Sequence, residues 1–179
     1  MDLSKFKTSD WLKVGGAVAV LIGYFLDWTN VPGAGSFNLS GSDFFFRGTV
    51  PWLLVLAVGI LTFLMASGTM KGGSLPWPLI FLAATGLATL LVLIYVIHPS
   101  YSGVSDIGRG FGAILTLIGC AVALFGSITG FKESGGDFAD LKDMNKLKGA
   151  FQGSGSSESA PPPPPPPGMT PPPPPPPPA

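Results

Sequence analysis

Phe111 to Phe131 is a run of 21 residues without a charge, and one helical face of it carries only small side chains: Gly112, Thr116, Gly119, Ala123, Gly126 and Gly130. Steps of 4, 3, 4, 3 and 4 hold these six on one narrow stripe. In water a helix this rich in glycine is poor, since each interior Gly costs about 1 kcal/mol relative to Ala. In lipid the same stripe lets a second backbone approach closely, which is how membrane helices associate. The run therefore predicts a membrane helix with a packing face. Composition agrees: only 11% of the 179 residues are charged, against roughly 25% in a soluble domain, so a soluble fold would be short of surface charge.

Two further stretches extend the pattern. Between Arg47 and Lys71 lie 23 uncharged residues, and from Gly72 to Ser105 there is no Asp, Glu, Lys or Arg. Pro51 opens the first of these helices at a first-turn position, where its missing N–H costs nothing. Lys71-Gly72-Gly73-Ser74 is a tight turn, and His98-Pro99 ends the next helix because the residue before a proline is pushed out of helical geometry. Nearer the start, Val14 to Leu26 is apolar between Lys13 and Asp27. It reads as an uncleaved first span, the alternative being a signal peptide: the run ends in Asp27-Trp28, and the nearest small-residue pattern, Ala34-Gly35-Ser36, lies beyond a proline. With 13 residues between Lys13 and Asp27, this span needs snorkelling ends and its flanking Trp11 and Trp28 to cross a core about 30 Å thick.

The predicted fold class is all-α: a four-transmembrane-helix bundle over 11–132, with spans at about 11–28, 51–69, 77–98 and 110–131, after a short N-terminus, 1–10. Thr29 to Thr49 reads as a loop ending in Phe44-Phe45-Phe46 and Arg47, either headgroup-level aromatics before the second span or a partner surface. Lys5, Lys7, Lys13, Lys71, Lys132, Lys142, Lys146 and Lys148 fall on one side of this arrangement, and Arg47 and Arg109 on the other. Eight against two places both termini in the cytoplasm by the positive-inside rule. Trp11, Trp28, Trp52 and Trp77 then fall at span ends, as an aromatic belt requires.

Beyond the spans, Leu141, Met144, Leu147 and Phe151 share one arc of a helical wheel, and Ser134 followed by Asp137 resembles a capping start. The segment 133–151 reads as a short cytoplasmic amphipathic helix lying on the leaflet, or as a solvated linker. After it, 152–179 is a disordered Gly/Ser and polyproline tail with 15 prolines between Pro161 and Pro178. Such a run adopts polyproline II, which serves either as a ligand for aromatic grooves or as a spacer.

Chemistry has little purchase here. HExxH, CxxC, GxSxG and Walker motifs are absent, and Gly108-Arg109-Gly110-Phe111-Gly112 opens a membrane helix rather than a βαβ unit. No catalytic residue, cofactor or metal site is expected. The lone Cys120 excludes an intramolecular disulfide and reads as a packing residue; His98 reads as an interfacial side chain. Zero net charge gives no reason to expect nucleic acid as a partner. Asp27 is the residue that invites a hypothesis, because it shares a helical face with Gly16 and Gly23. The expectation is that the first and fourth spans pack together and that Asp27 meets Arg109 in an intramembrane ion pair, with Arg47 and Asp106 as competing partners.

Thr8-Ser9-Asp10-Trp11 leading into Gly15-Gly16, then Leu21 to Trp28, and Arg109-Gly110-Phe111-Gly112 together resemble small four-span membrane proteins of actinobacterial type. The resemblance implies a bacterial plasma membrane and leaves activity open. The expected function is a non-enzymatic anchor or scaffold that presents the polyproline tail to envelope or division partners. The alternative is a small transporter, channel or holin-like pore built as a homo-oligomer of the glycine-rich spans. In both, membrane lipid is the surrounding partner.

Overall fold

In the computed structural model, which describes residues 6–30, 38–70, 75–101, 104–105, 108–138 and 148–149, the chain is mostly helical. Its helices are α1 (Thr8–Phe25), α2 (Val50–Ala66), α3 (Trp77–Ile97) and α4 (Phe111–Glu133), with a π-helical turn, Phe45–Thr49, feeding into α2. Among the described residues, three segments are long and apolar enough to cross a membrane: Phe45–Ala66 (22 residues), Trp77–Ile97 (21) and Phe111–Glu133 (23). At 1.5 Å per residue each is about 32–35 Å long, which matches a hydrocarbon core of about 30 Å. Their outward faces carry Leu53, Ile60, Leu87, Leu90, Ile118 and Phe125, each at least half exposed. A surface this apolar on every side requires hydrocarbon rather than water around it. The chain is a multi-pass integral membrane protein.

α1 is shorter, 18 residues, and carries Asp10 and Lys13 near its start. Its place is set by packing: it lies chiefly against α4 and also against α2, while α3 closes the ring between α2 and α4. Gly16 faces Gly119 and Ala123, Gly23 faces Gly112 and Thr116, and Gly126 faces Ser9 and Lys13, so α1 and α4 run antiparallel in a seven-residue register. The fit is backbone to backbone. A Cβ on Gly16 would stand 2.6 Å from the Gly119 carbonyl oxygen, and one on Gly119 would stand 2.9 Å from both Gly16 O and Val20 N. Small side chains are therefore a geometric requirement of this seam. Ala17, Val20, Val55, Ala88, Val92, Ala113, Cys120 and Ala123 fill the space between the four helices.

Each end of the bundle has its own character. At the end bearing Lys7, Lys13 and Lys132, α4 stops in a Schellman turn: Gly136 N–H donates to Phe131 O and Gly135 N–H to Lys132 O, both at 3.0 Å. Gly135 adopts φ +82°, which a side chain would disfavour. At the other end, β1 (Asp27–Asn30) pairs antiparallel with β2 (Asn38–Ser40) and with β5 (Gly108–Arg109), in the order β2-β1-β5; β3 (Ser100–Tyr101) and β4 (Val104–Ser105) form a separate pair. Backbone leaving a helix near lipid must find new hydrogen-bond partners, and this small sheet supplies them. Trp28 lies beneath it, fully buried, with its indole N–H donating to Gly23 O at 2.9 Å and its ring against Phe44 and Tyr95. Gly110 N–H and the Tyr95 hydroxyl both donate to Trp28 O, at 2.7 and 3.3 Å.

Several expectations change. The all-α class omits the strands, and part of the expected loop at Thr29 to Thr49 is instead β2, a 3-10 turn at Gly41–Asp43 and the π-helical turn. The first helix covers Thr8–Phe25 rather than about 11–28, because Leu26 and Asp27 are already extended and Trp28 belongs to β1. Trp28 is thus a core residue, not a belt residue: its apolar ring finds a packed site and its N–H a carbonyl. The aromatic triplet splits, with Phe44 buried and Phe45 and Phe46 exposed. Ser134 caps the end of α4, its hydroxyl donating to Phe131 O at 2.7 Å, rather than opening the next helix. Most of the amphipathic segment and the whole polyproline tail lie outside the described residues.

Candidate functional site at the lysine end of the bundle

Ser9, Lys13 and Gly16 follow one another at steps of 4 and 3, so the face of α1 that carries the packing glycines also carries a hydroxyl and an ammonium. Packing that face on α4 takes both groups inward. Lys13 is only 6% exposed, and its ammonium lies 3.0 Å from Asp10 Oδ1 and 5.5 Å from the centre of the Phe81 ring. Gly130 makes the space: a Cβ there would stand 3.4 Å from Lys13 Nζ. The side chain does not snorkel to the surface as expected, because Asp10 and the aromatic face satisfy it inside.

Around these groups is a partly open cavity of about 300 Å³ to which all four helices contribute. Asp10 is held by two donors, Lys13 on Oδ1 and the Lys7 backbone N–H on Oδ2 at 3.2 Å, the second being half of a capping box at the start of α1. Ser9 donates to Glu133 Oε2 at 2.8 Å, which ties the first turn of α1 to the last turn of α4. Lys13 is buried and Asp10 partly so, and removing Asp10 would leave the Lys13 charge without its counter-ion.

The buried and half-buried hydroxyls of the helices differ in how they are satisfied. Thr85, Thr89 and Ser127 each donate to the carbonyl four residues earlier, at 2.7, 2.7 and 2.9 Å, as hydroxyls in membrane helices commonly do. Thr62 and Thr116 do not, and their Oγ1 atoms have no hydrogen-bond partner. Thr116 Oγ1 occupies the space that a Cβ on Gly23 would take. Thr62 is 3% exposed and is among the residues around the cavity, with Lys13.

The predicted ion pair does not form at the strand end. Asp27 and Arg109 are both exposed and sit on neighbouring strands, but Arg109 pairs in register with Thr29, while Asp27 lies opposite Ser40 on the other side. Arg109 Nε instead donates to Val96 O at 2.7 Å, capping the end of α3. Asp27 leaves the helix before it reaches the bundle interior, so a helical wheel extended to it misplaces it. Of its named competitors, Arg47 Nη1 lies 3.5 Å from His98 O, and Asp106 lies outside the described residues. Gly16, Gly23, Gly112, Thr116, Gly119, Ala123 and Gly126 are brought together in the α1–α4 seam, whereas Gly130 makes room for a side chain.

Sequence reasoning passed over the polar cluster because Lys13 was read as a boundary charge. The signal for it was present: Ser9 and Lys13 continue the Gly16–Gly23 stripe at the same helical spacing. Among the described residues no group of His, Cys, Asp and Glu is arranged to hold a metal ion. Comparison of the chain with family models, with characterised proteins and with solved structures yields no match, so the resemblance to small four-span proteins gains no identified family.

Proposed function

We propose that this protein is a non-enzymatic plasma-membrane anchor or scaffold in which all four helices span, with both termini cytoplasmic and the proline-rich segment presented there to protein partners. The lysine end is then the cytoplasmic end, and the strand end with Arg47 and Arg109 faces outward. The observation that carries this reading is the closure of the bundle above Lys13. From there to Trp28 the interior is filled by Val20, Val55, Ala88, Val92, Cys120 and Ala123, all fully buried, and by α1 and α4 in backbone contact. No acidic or basic side chain lies on α1 to α4 between Lys13 and Phe131, and a conducting path would need such groups or a hydrated gap.

The pore alternative rested on glycine stripes free to assemble copies of the chain. Gly112, Gly119 and Gly126 are occupied by α1 of the same chain, which removes that support. The anchor reading is tested by a variant ending at Ala160. It should insert and unfold as the full chain does, while losing the proteins cross-linked to the full chain in intact membranes. Ion or dye flux through proteoliposomes of the purified chain would overturn the reading.

A further inference from the structure

We propose that the groove between α1 and α2 is a binding site for the methyl-terminal half of a lipid acyl chain, which enters it sideways from the bilayer. The groove encloses about 220 Å³, and every residue that lines it is apolar. Its floor is Ala17 against Gly59, where a Cβ on the glycine would overlap that of the alanine, so the two helices meet at their smallest side chains. Longer side chains form the walls, Val14, Val18 and Leu21 on α1 and Leu56, Ile60 and Leu64 on α2. Val18 and Ile60 are each 51% exposed, so the groove opens on the outer, lipid-facing surface of the bundle. Left empty, it forfeits dispersion attraction along its whole lining, and water finds no polar group there to bond. Hydrocarbon is the phase that touches its mouth.

Two aromatic bridges between the helices set its length. At the lysine end the Phe6 ring lies 5.2 Å from that of Trp11 on α1 and 5.7 Å from that of Phe63 on α2. At the strand end Tyr24 of α1 stacks on Trp52 of α2 at 4.6 Å. Between them the wall from Val14 to Leu21 rises about 10 Å at 1.5 Å per residue, which accommodates about eight chain carbons at roughly 1.3 Å each. Val14 lies six residues after the first of α1 and Leu21 four before its last, so the groove sits at mid-membrane, where the chain ends of both leaflets meet. A headgroup cannot follow into a site without a polar group. A helix of a second copy would have to lie along the full height of the bundle, past both bridges, and the groove is too short to seat it. The inference rests on α1 lying in the bilayer and is independent of what the tail binds.

The test uses the full chain in phosphatidylcholine nanodiscs containing a phosphatidylcholine with a photoactivatable diazirine at the methyl end of one acyl chain or, in a parallel sample, near its carboxyl end. Adducts are located by mass spectrometry. The comparison residues are matched in exposure: Val18 and Ile60 at the groove, against Ile22 on α1, Leu87 and Leu90 on α3 and Ile118 on α4, all between 50% and 54% exposed. The methyl-end probe should label Val18 and Ile60 roughly fivefold more than the other four, and the carboxyl-end probe should not favour them. Ile60→Trp, a lipid-facing change that keeps the fold and fills the groove, should bring Val18 down to the level of Ile22; Leu90→Trp should leave Val18 as it was. Even labelling of all six positions, or enrichment at Val18 that survives Ile60→Trp, would overturn the proposal, as would cross-linking of two copies through this face. Label on Ile22 without enrichment at the groove refutes this inference alone, whereas no label anywhere on α1 refutes its placement in the bilayer as well.

Discussion

Gly15 and Gly16 are neighbours in α1 with opposite surroundings, which makes them a controlled experiment on the α1–α4 seam. A Cβ at Gly15 meets nothing within 4 Å, whereas one at Gly16 meets Gly119 O at 2.6 Å, Ala123 N at 2.7 Å and Ala123 Cβ at 2.8 Å. Ordinary van der Waals contact begins near 3.4 Å, so Gly16→Ala must open the seam by 3.4 − 2.6 = 0.8 Å. A radial gap of that size forfeits a quarter to a half of each dispersion contact it affects, and core overpacking of one methyl costs about 1–3 kcal/mol. Both positions are helix-interior glycines, so the helix-propensity gain of roughly 1 kcal/mol on mutation to Ala is common to them and cancels in the comparison. Gly16→Ala should therefore be less stable than Gly15→Ala by about 1–3 kcal/mol. Reversible unfolding in mixed micelles, followed by tryptophan fluorescence, measures the difference. Equal stabilities would show that α1 does not pack on α4 through this face, and the bundle order argued above would be wrong.

Other perturbations probe the remaining parts. Trp28→Ala empties a fully buried site and frees Gly23 O; it should cost about 3–5 kcal/mol in the same unfolding assay, and Trp28→Phe distinctly less. Ser9→Ala removes the 2.8 Å tie to Glu133 and should cost about 0.5–1.5 kcal/mol; Glu133→Ala in that background should add little, since the tie is already gone. Cys120 is fully buried, so a maleimide should label it only after denaturation; rapid labelling of the native protein in detergent would contradict the packing of α4. In a Cys120→Ala background, Thr69→Cys should react with an impermeant thiol reagent from the cytoplasmic side and Phe46→Cys from outside; the reverse pattern would invert the proposed orientation.

Membrane residence and the four helices of the bundle were legible in the sequence because both depend on local quantities. Long uncharged runs must lie in hydrocarbon whatever their neighbours do, and Pro51 and His98-Pro99 start or stop helices through their own backbone preferences. The small-residue stripe of α4 was equally legible, since close approach needs small side chains and helical spacing alone reveals the face. That the first helix fills this stripe was also expected, from the glycines the two helices carry, and α1 does pack there. The same contact draws Lys13 inward, where a linear reading sees a boundary marker, and so creates the cavity with Asp10, Thr62 and Glu133. At the opposite end the chain leaves the helix at Leu26, and cross-strand pairing, which joins residues about 80 apart such as Thr29 and Arg109, decides where Asp27 and Trp28 go. Hydropathy and spacing are properties of a segment; the depth of a single charge is a property of what packs around it, and that belongs to the tertiary structure alone.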